Sequence, residues 1–571
     1  MQNFKNTVAS DLLKAISTLA DNIELTQNDI YAMFEYPPDS SLGDIAFPCF
    51  KLSRILRKAP PMIAKELSEA FSSSVVSKAE AVNGYLNIFV SNDYLVKNVL
   101  FKIESEKEHY GSDDSGKGKV AVFDYSSPNV AKPFHIGHLG TTVIGHSLKK
   151  LHEFQGFDCV GINYLGDWGT QFGKLIVAYN LWGNKETIEK GGVDELVALY
   201  VKFHEEAEKD ETLNQQARNE FTKLEHHDER NIELWKWFVQ ISLDEYQKTY
   251  KQLGIEFDSY KGESFYTDKM PAQIQVLRDK NLLKIDDGAS IVDLSEYNMP
   301  PCLILKKDGS TLYPTRDIAA AVYRKETYNF DKCIYVTSAG QSLHFAQWFK
   351  VVKMMGYDWY DQLVHVPYGT VSINGEKLAT RTGNVILLKD LFATAIEKVT
   401  EIMDEKNPNL PNKAEIAEAV GVGSVIFYYL YNNRIKDINF VMKDALSFEG
   451  NTGPYVQYTY ARTSGILEKA NIANLTATEP TITTSEEADI LKVLSKFNEA
   501  VKDAIRDYEP SVITRYIIDV CSSFNKFYHN CQIVSADDEA VRNTRVRLTA
   551  AVKTVLGSAF DLICLKKTEK I

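Results

Sequence analysis

The chain has 571 residues, with 64 Lys+Arg against 77 Asp+Glu for a formal net charge of −13; 44% of residues are hydrophobic and 25% charged. Those proportions belong to a globular chain of several domains and exclude disordered, collagen-like and disulfide-scaffold classes. No run of about 18 uncharged apolar residues is present, so no membrane partner is expected. The opening MQNFKNTVASDLLKAISTLADN has neither a secretory nor a transit-peptide layout. Seven scattered cysteines include no C-x-x-C pair, which points to a reducing cytoplasm and away from zinc or disulfides.

In chain order, the first hundred-odd residues read as helix, turn (YPPDSSLGD, 36–44), helix and strand (GYLNIFV, 84–90), with the second helix broken at Pro60 and Pro61. EKEHYGSDDSGKGK (106–119) reads as a linker. VAVFDYS (120–126) is then a strand, about 137–154 a helix and CVGINYL (159–165) a strand, which together make a right-handed βαβ unit. A helical, highly charged insertion follows at about 170–300. KCIYVTSA (332–339) and LVHVPYGTVSI (363–373) are strands bracketing a helix at about 344–355, and beyond Leu388 the chain is helix after helix. The expected fold is therefore α/β, a split doubly wound parallel sheet with a helical insertion, after a small α+β module and before an all-α region. Ligands of such a sheet sit beyond the carboxyl ends of its strands, at the switch point.

The densest chemistry lies there. DYSSPNVAKPFHIGH (124–138) opens a helix, whose free N–H groups and positive dipole end suit phosphate. His135 and His138, three apart, can meet one anion, and Gly137 clears a side chain from the approach. No Walker-type or G-x-G-x-x-G loop is present in this segment, which argues against an ordinary ATPase or dehydrogenase.

His135-Ile136-Gly137-His138 resembles the HIGH motif of class I aminoacyl-tRNA synthetases. With NYLGDWGTQFG (163–173), the longer string resembles the arginyl-tRNA synthetases in particular. LYPTRDIAAA (312–321), SAGQSLHFAQ (338–347), SFEGNTGPYVQYTYAR (447–462) and EPSVITRYIIDVCSSFNKFYHNC (509–531) are similar to that family's later blocks, in the family's order. The resemblance implies activation of L-arginine by ATP, as its Mg²⁺ complex, to arginyl-adenylate. Transfer to the terminal ribose of tRNA-Arg follows, through the 2′-hydroxyl, with tRNA generally needed for activation. No tightly bound cofactor or metal is expected. The implied division is a tRNA-contacting module at 1–110, a catalytic domain at 111–390, and a helical region at 391–571 with an anticodon-binding bundle at about 450–571. A monomer is expected.

GEKLATRTGNV (375–385) lies where the family's KMSKS loop belongs. Lys377 matches the first lysine and Thr380 replaces the second. Lys132, ahead of HIGH, is where similar enzymes place a compensating lysine. Lys132, Lys377 and Arg381 are thus candidates for pyrophosphate, beside His135 and His138 as catalytic donors. Asn374-Gly375 marks the same segment as a hairpin turn. The family's arginine pocket maps onto Asp124, Asn129, Tyr313, Asp317 and Gln341, with Asn129 and His138 at the α-amino and carboxylate end and Asn87 a weaker carry-over. His344 and Gln347 are candidates for adenine, with packing as the equal alternative. Gly140 and Gly161 stand where the family usually carries arginine.

The cluster of seven Lys/Arg against Asp561 and Glu569 in residues 541–571, a local 7 − 2 = +5, is a candidate basic face for tRNA. Val512, Ile513, Tyr516, Val520, Cys521, Phe524, Phe527 and Tyr528 form a stripe expected to be core. Tyr455, Tyr458, Tyr460 and Arg462 suit either base stacking or packing. Two other readings are a cysteinyl-type synthetase, disfavoured by the absent C-x-x-C, and a synthetase-like RNA-binding protein without catalysis, disfavoured by the retained histidines and acidic pocket.

Overall fold

Strands β1 (Ile45–Pro48), β2 (Val76–Val82) and β3 (Tyr85–Val90) make an antiparallel sheet in the order β1-β3-β2. The structure is a computed structural model that describes residues 1–19, 24–377, 386–470 and 478–571. The helices Gln2–Ser17 and Pro60–Ala70 share this module's core through Phe4, Leu12, Ile63 and Leu67. The second helix is interrupted as expected: a short helix Ser53–Leu56 ends at Arg57, and Pro60 starts the next, where its missing N–H costs nothing. Strands β1 and β2 escape the sequence reading. The first is four residues long, and VSKAEAV in the second exposes alternate polar side chains.

Strands β4 (Val120–Asp124) and β5 (Asp158–Ile162) flank the helix Leu139–Phe154. The insertion packs the helices Thr170–Trp182, Val193–Ala207, Thr212–Glu225 and Glu229–Leu253 around Phe172, Leu175, Phe203 and Phe238. It then adds an unforeseen antiparallel sheet of β6 (Leu283–Asp286), β7 (Ala289–Val292) and β8 (Cys302–Leu305). Strands β9 (Lys332–Ser338) and β10 (Leu363–Tyr368) complete the catalytic sheet, wholly parallel in the order β10-β9-β4-β5. Its two faces bury alternate residues. Phe123 and Val336 face the helix Leu139–Phe154, while Val122, Cys333 and Tyr335 face the helices Tyr313–Tyr328 and Ser342–Met354. Strand order reverses between β4 and β9, so the crevice opens above Asp124 and Ser338.

The single strand expected over 363–373 is two. A side chain at Gly369 would lie 2.4 Å from the Lys436 carbonyl oxygen, so the chain turns there beneath the 436–437 backbone. Strand β11 (Val371–Ile373) then pairs antiparallel with β12 (Glu376–Lys377) and parallel with β13 (Ile438–Phe440). Asn374 and Gly375 both have positive φ, 49° and 84°, which is the type I′ hairpin their sequence suggests.

The C-terminal bundle includes the helices Lys413–Tyr431, Gly453–Ala470, Ser511–Asn530 and Glu539–Leu562. In the expected core stripe Ile513, Tyr516, Val520, Cys521, Phe524 and Phe527 are buried, Val512 is half-buried, and Tyr528 is exposed. Acids outside the cluster offset much of its +5, since Arg545 pairs with Glu487, Arg547 with Glu104 and Lys570 with Glu468, while Lys553–Glu569 and Lys567–Asp561 pair within it.

Candidate active site

Beyond Asp124 the chain turns sharply. Ser126, Ser127 and Ala131 all have positive φ (73°, 47° and 56°), each a strain of order 1 kcal/mol or more for a residue with a side chain. The surroundings hold this loop in place. Thr141 Oγ1 accepts the Ser126 N–H at 2.9 Å and donates to the Val336 carbonyl of β9 at 2.6 Å. The Tyr246 hydroxyl bridges the Asn129 and Lys132 carbonyls at 2.7 and 2.8 Å. Asn129 itself is exposed and forms a bridge with Gly166.

His135 Nδ1 accepts the Gly137 N–H at 3.1 Å, and His138 Nδ1 accepts the His135 N–H at 3.2 Å. A neutral ring that accepts at Nδ1 carries its proton on Nε2. Burial, then the neighbouring cations, lowers both pKa values, and burial first, with His135 second, takes His138 to about 3. Both rings, 3.9 Å apart, are therefore neutral donors through Nε2 at physiological pH. Exposed Lys132 contributes to lowering both.

The far half of the sheet returns to the same place. Ile136 donates its N–H to the Ile386 carbonyl at 3.2 Å, and Leu388 donates to the Phe134 carbonyl at 2.9 Å. The chain leaving GEKLATRTGNV thus pairs with the HIGH segment. Lys377 closes β12 opposite Ser372, but its side chain, and Thr380 and Arg381 entirely, lie outside the described residues.

Tyr313 begins its helix with Pro314 in the first turn, and Asp317 follows one turn later. Tyr313 is 66% exposed at the cleft mouth. His344 Nε2 lies 2.6 Å from Asp317 Oδ2, so this histidine is tied to the acidic side of the cleft instead of standing free for adenine. The Gln347 amide donates to the Pro300 and Pro301 carbonyls at 2.9 and 3.1 Å, a packing role. Gln341 is exposed at the start of the same helix. Asn87 is not brought into this group: it is buried in the middle of β3, opposite Ala46 and Glu80.

Asp124 is almost fully buried and already has partners: Ser127 Oγ donates to Oδ1 at 3.0 Å, and the Arg324 guanidinium lies 2.8 Å from Oδ2. Burial pushes its pKa up, Arg324 and Ser127 oppose that, and Asp317 adds to the rise. Nearby, Glu263 pairs with Arg316 at 2.6 Å. Burial chiefly raises Glu263 to about 7, with Asp317 and Asp167 adding and Arg316 opposing. Arg316, Arg324 and Glu263 were missed by sequence reasoning. The one signal for Arg324 is its spacing: seven residues, two turns, after Asp317 puts it on the same helix face.

A HIGH segment after the first strand of a split parallel sheet, a hairpin loop returning to it across the switch point and a helical C-terminal bundle together define a class I aminoacyl-tRNA synthetase. Residues 98–442 match the family model for the class I (R) tRNA synthetase catalytic domain, 456–571 the DALR anticodon binding domain, and 3–90 the arginyl-tRNA synthetase N-terminal domain. The chain is 48% identical over 575 residues to the arginine–tRNA ligase of Alkaliphilus metalliredigens and 48% over 573 to that of Clostridioides difficile, covering 100% of each pair. The Thermus thermophilus arginyl-tRNA synthetase structure shares its fold with a TM-score of 0.80 at 22% identity, over 99% of this chain and 100% of that one. The Plasmodium falciparum structure does so at 0.81 and 22%, over 99% and 98%. The chain belongs to the arginyl-tRNA synthetases: it is an arginine–tRNA ligase, and neither the cysteinyl nor the non-catalytic reading is favoured.

Proposed function

We propose the following division of labour among its residues. His135 and His138 donate from Nε2 to the triphosphate of Mg²⁺-ATP. Lys132, Lys377 and Arg381 neutralise the pyrophosphate as it leaves, because the transition state gathers negative charge there. Asp317, with His344 behind it, and Tyr313, Gln341 and Asp124 read the guanidinium, which needs acceptors in a forked layout to be told from lysine. Asn129 and His138 hold the α-amino and carboxylate end. The observation that carries this reading is that Asp124 ends β4 at the foot of the loop that bears both histidines, close enough to Asp317 for that charge to add to the rise in its own pKa.

On the tRNA side, exposed Tyr458 and Tyr528 flank the Arg462 guanidinium at 5.0 and 4.8 Å, a surface on which unpaired bases stack. Tyr460 is buried, and the Tyr455 hydroxyl accepts from Asn525, so those two pack. The first 110 residues meet the outer corner of the tRNA, and the enzyme works as a cytoplasmic monomer. Seven cysteines without a disulfide among the described residues support a reducing compartment.

Pyrophosphate exchange into ATP tests the reading. It is expected with arginine, and strongly only with tRNA present. Exchange driven by another amino acid, or none under either condition, refutes it.

A further inference from the structure

Arg324 has no exposed surface. It lies between the ring faces of Tyr164 and Tyr335, 5.2 and 5.5 Å from their centroids. Its nitrogens make no well-aligned hydrogen bond, and its contact with Asp124 Oδ2 at 2.8 Å is an ion pair off the N–H direction. A guanidinium in such a place is expensive to bury, and only the opposed carboxylate makes it tolerable. That carboxylate is one the arginine pocket needs. Its second oxygen accepts from Ser127 Oγ, which in turn accepts the Tyr164 N–H at 3.2 Å. A carboxylate offers about four lone-pair sites, so Asp124, with two of them engaged, retains acceptor capacity.

We propose that Arg324 is a positioning residue for arginine recognition: an internal guanidinium that fixes the orientation and negative charge of Asp124, leaving its remaining lone pairs to the substrate guanidinium. This rests on the arginine-binding reading of Asp124 given above. Asp124 is thereby shared between two guanidinium groups, one structural and one brought by the substrate. Asp317, two turns up the same helix, carries the larger part of the substrate's charge.

The groups facing Asp124 are Arg324 and Asp317 from the Tyr313–Tyr328 helix, Cys333 and Tyr335 from β9, Tyr266 from the insertion and Ser127 from the loop. Burial raises the two tyrosines above their usual range and the thiol to about 11. All three stay neutral between pH 6.5 and 8.5. Without Arg324, burial acts on Asp124 unopposed by its strongest partner, which shifts the carboxyl further toward its protonated form. Raising the pH ionises it and restores the site.

The test is the Michaelis constant for arginine in tRNA-supported exchange, taken as the ratio of variant to wild type so that Glu263 and the substrates cancel. Arg324→Met is expected to raise it at least tenfold at pH 7, with the ATP constant within about twofold, and the ratio falls as pH rises to 8.5. Arg324→Lys restores it to within a few-fold. In Asp124→Asn/Arg324→Met the constant stays high and the pH dependence disappears. Arg324→Gln carries the expectations of the methionine variant should that one not fold. A wild-type arginine constant in either neutral variant, or a raised one that ignores pH, overturns the proposal. So does failure of the double variant to fold, which would make Arg324 a packing residue. If wild-type protein shows no exchange with arginine, the pocket reading itself fails, which is a separate result.

Discussion

At the scale of single residues, the backbone decides the chemistry of the HIGH turn. Two main-chain N–H groups occupy the Nδ1 atoms of His135 and His138, so each ring presents a proton at Nε2 without bearing charge. His138→Ala should lower the exchange rate about a hundredfold, the scale of one lost transition-state donor. A neutral donor has a further signature. His138→Asn supplies a pH-independent N–H, so the ratio of wild-type to variant rate should stay flat from pH 6 to 8. A histidine acting as a cation would make that ratio climb toward pH 6. Asp317→Asn removes a charged acceptor and should weaken arginine binding by about 1.5–3 kcal/mol, read as the arginine Michaelis constant. Most of these residues were legible because they follow strand ends in motif order. The partners of Asp124 and Asp317 were not: Arg324 in AVYRKETY looks solvent-facing beside Lys325 and Glu326, and its spacing from Asp317 gives its helix face without marking it as the buried counter-ion of a residue 200 positions earlier.

At the scale of elements, packing explains Gly140. A Cβ there would sit 2.2 Å from the Tyr429 hydroxyl and 3.0 Å from the Tyr368 ring. An arginine has no room, so the first turn of the HIGH helix lies directly against the helix Lys413–Tyr431. Gly140→Ala should cost about 1–3 kcal/mol of stability through overpacking and slow exchange by displacing His138. Removing the hydroxyl with Tyr429→Phe should recover part of both, which melting temperature and exchange rate can check. Strands β4 and β9 were readable because each is a largely apolar run buried on both faces, and the edge strand β5 because its apolar run follows the helix at βαβ spacing. The β6–β7 hairpin was not read, although Asp287-Gly288 signals its turn and both residues have positive φ, 44° and 79°. Its flanks carry so much charge that the insertion's helical pattern hid it. The division of 363–373 into two strands depends on Lys436, which lies far along the chain, and so has no local sign.

At the scale of the whole molecule, the N-terminal module is clamped to the C-terminal bundle. Glu499 accepts Lys5 Nζ at 2.8 Å and the Tyr36 hydroxyl at 2.5 Å, and Lys492 pairs with Asp44 at 3.0 Å. Burial works to raise the pKa of Glu499, yet Lys5 and Tyr36 hold it below the usual value. Its contribution to stability is therefore full above about pH 4.5 and fades as pH falls further. Glu499→Gln leaves the buried Lys5 ammonium without its counter-charge, facing only an amide oxygen and the Tyr36 ring. It should cost about 3 kcal/mol, the scale of a broken buried pair, and speed proteolysis within 106–119. Arginine activation should change less than tRNA charging; equal resistance to protease would contradict the clamp.

That clamp also constrains how the enzyme is made. Lys5 and Glu499 are 494 positions apart, and a ribosome adding about 5–20 residues each second needs roughly half a minute or more to cover that distance. For all that time the first module waits in the cell with its docking face bare. It must therefore hold its shape from its own small core until residue 499 and its helix have been made.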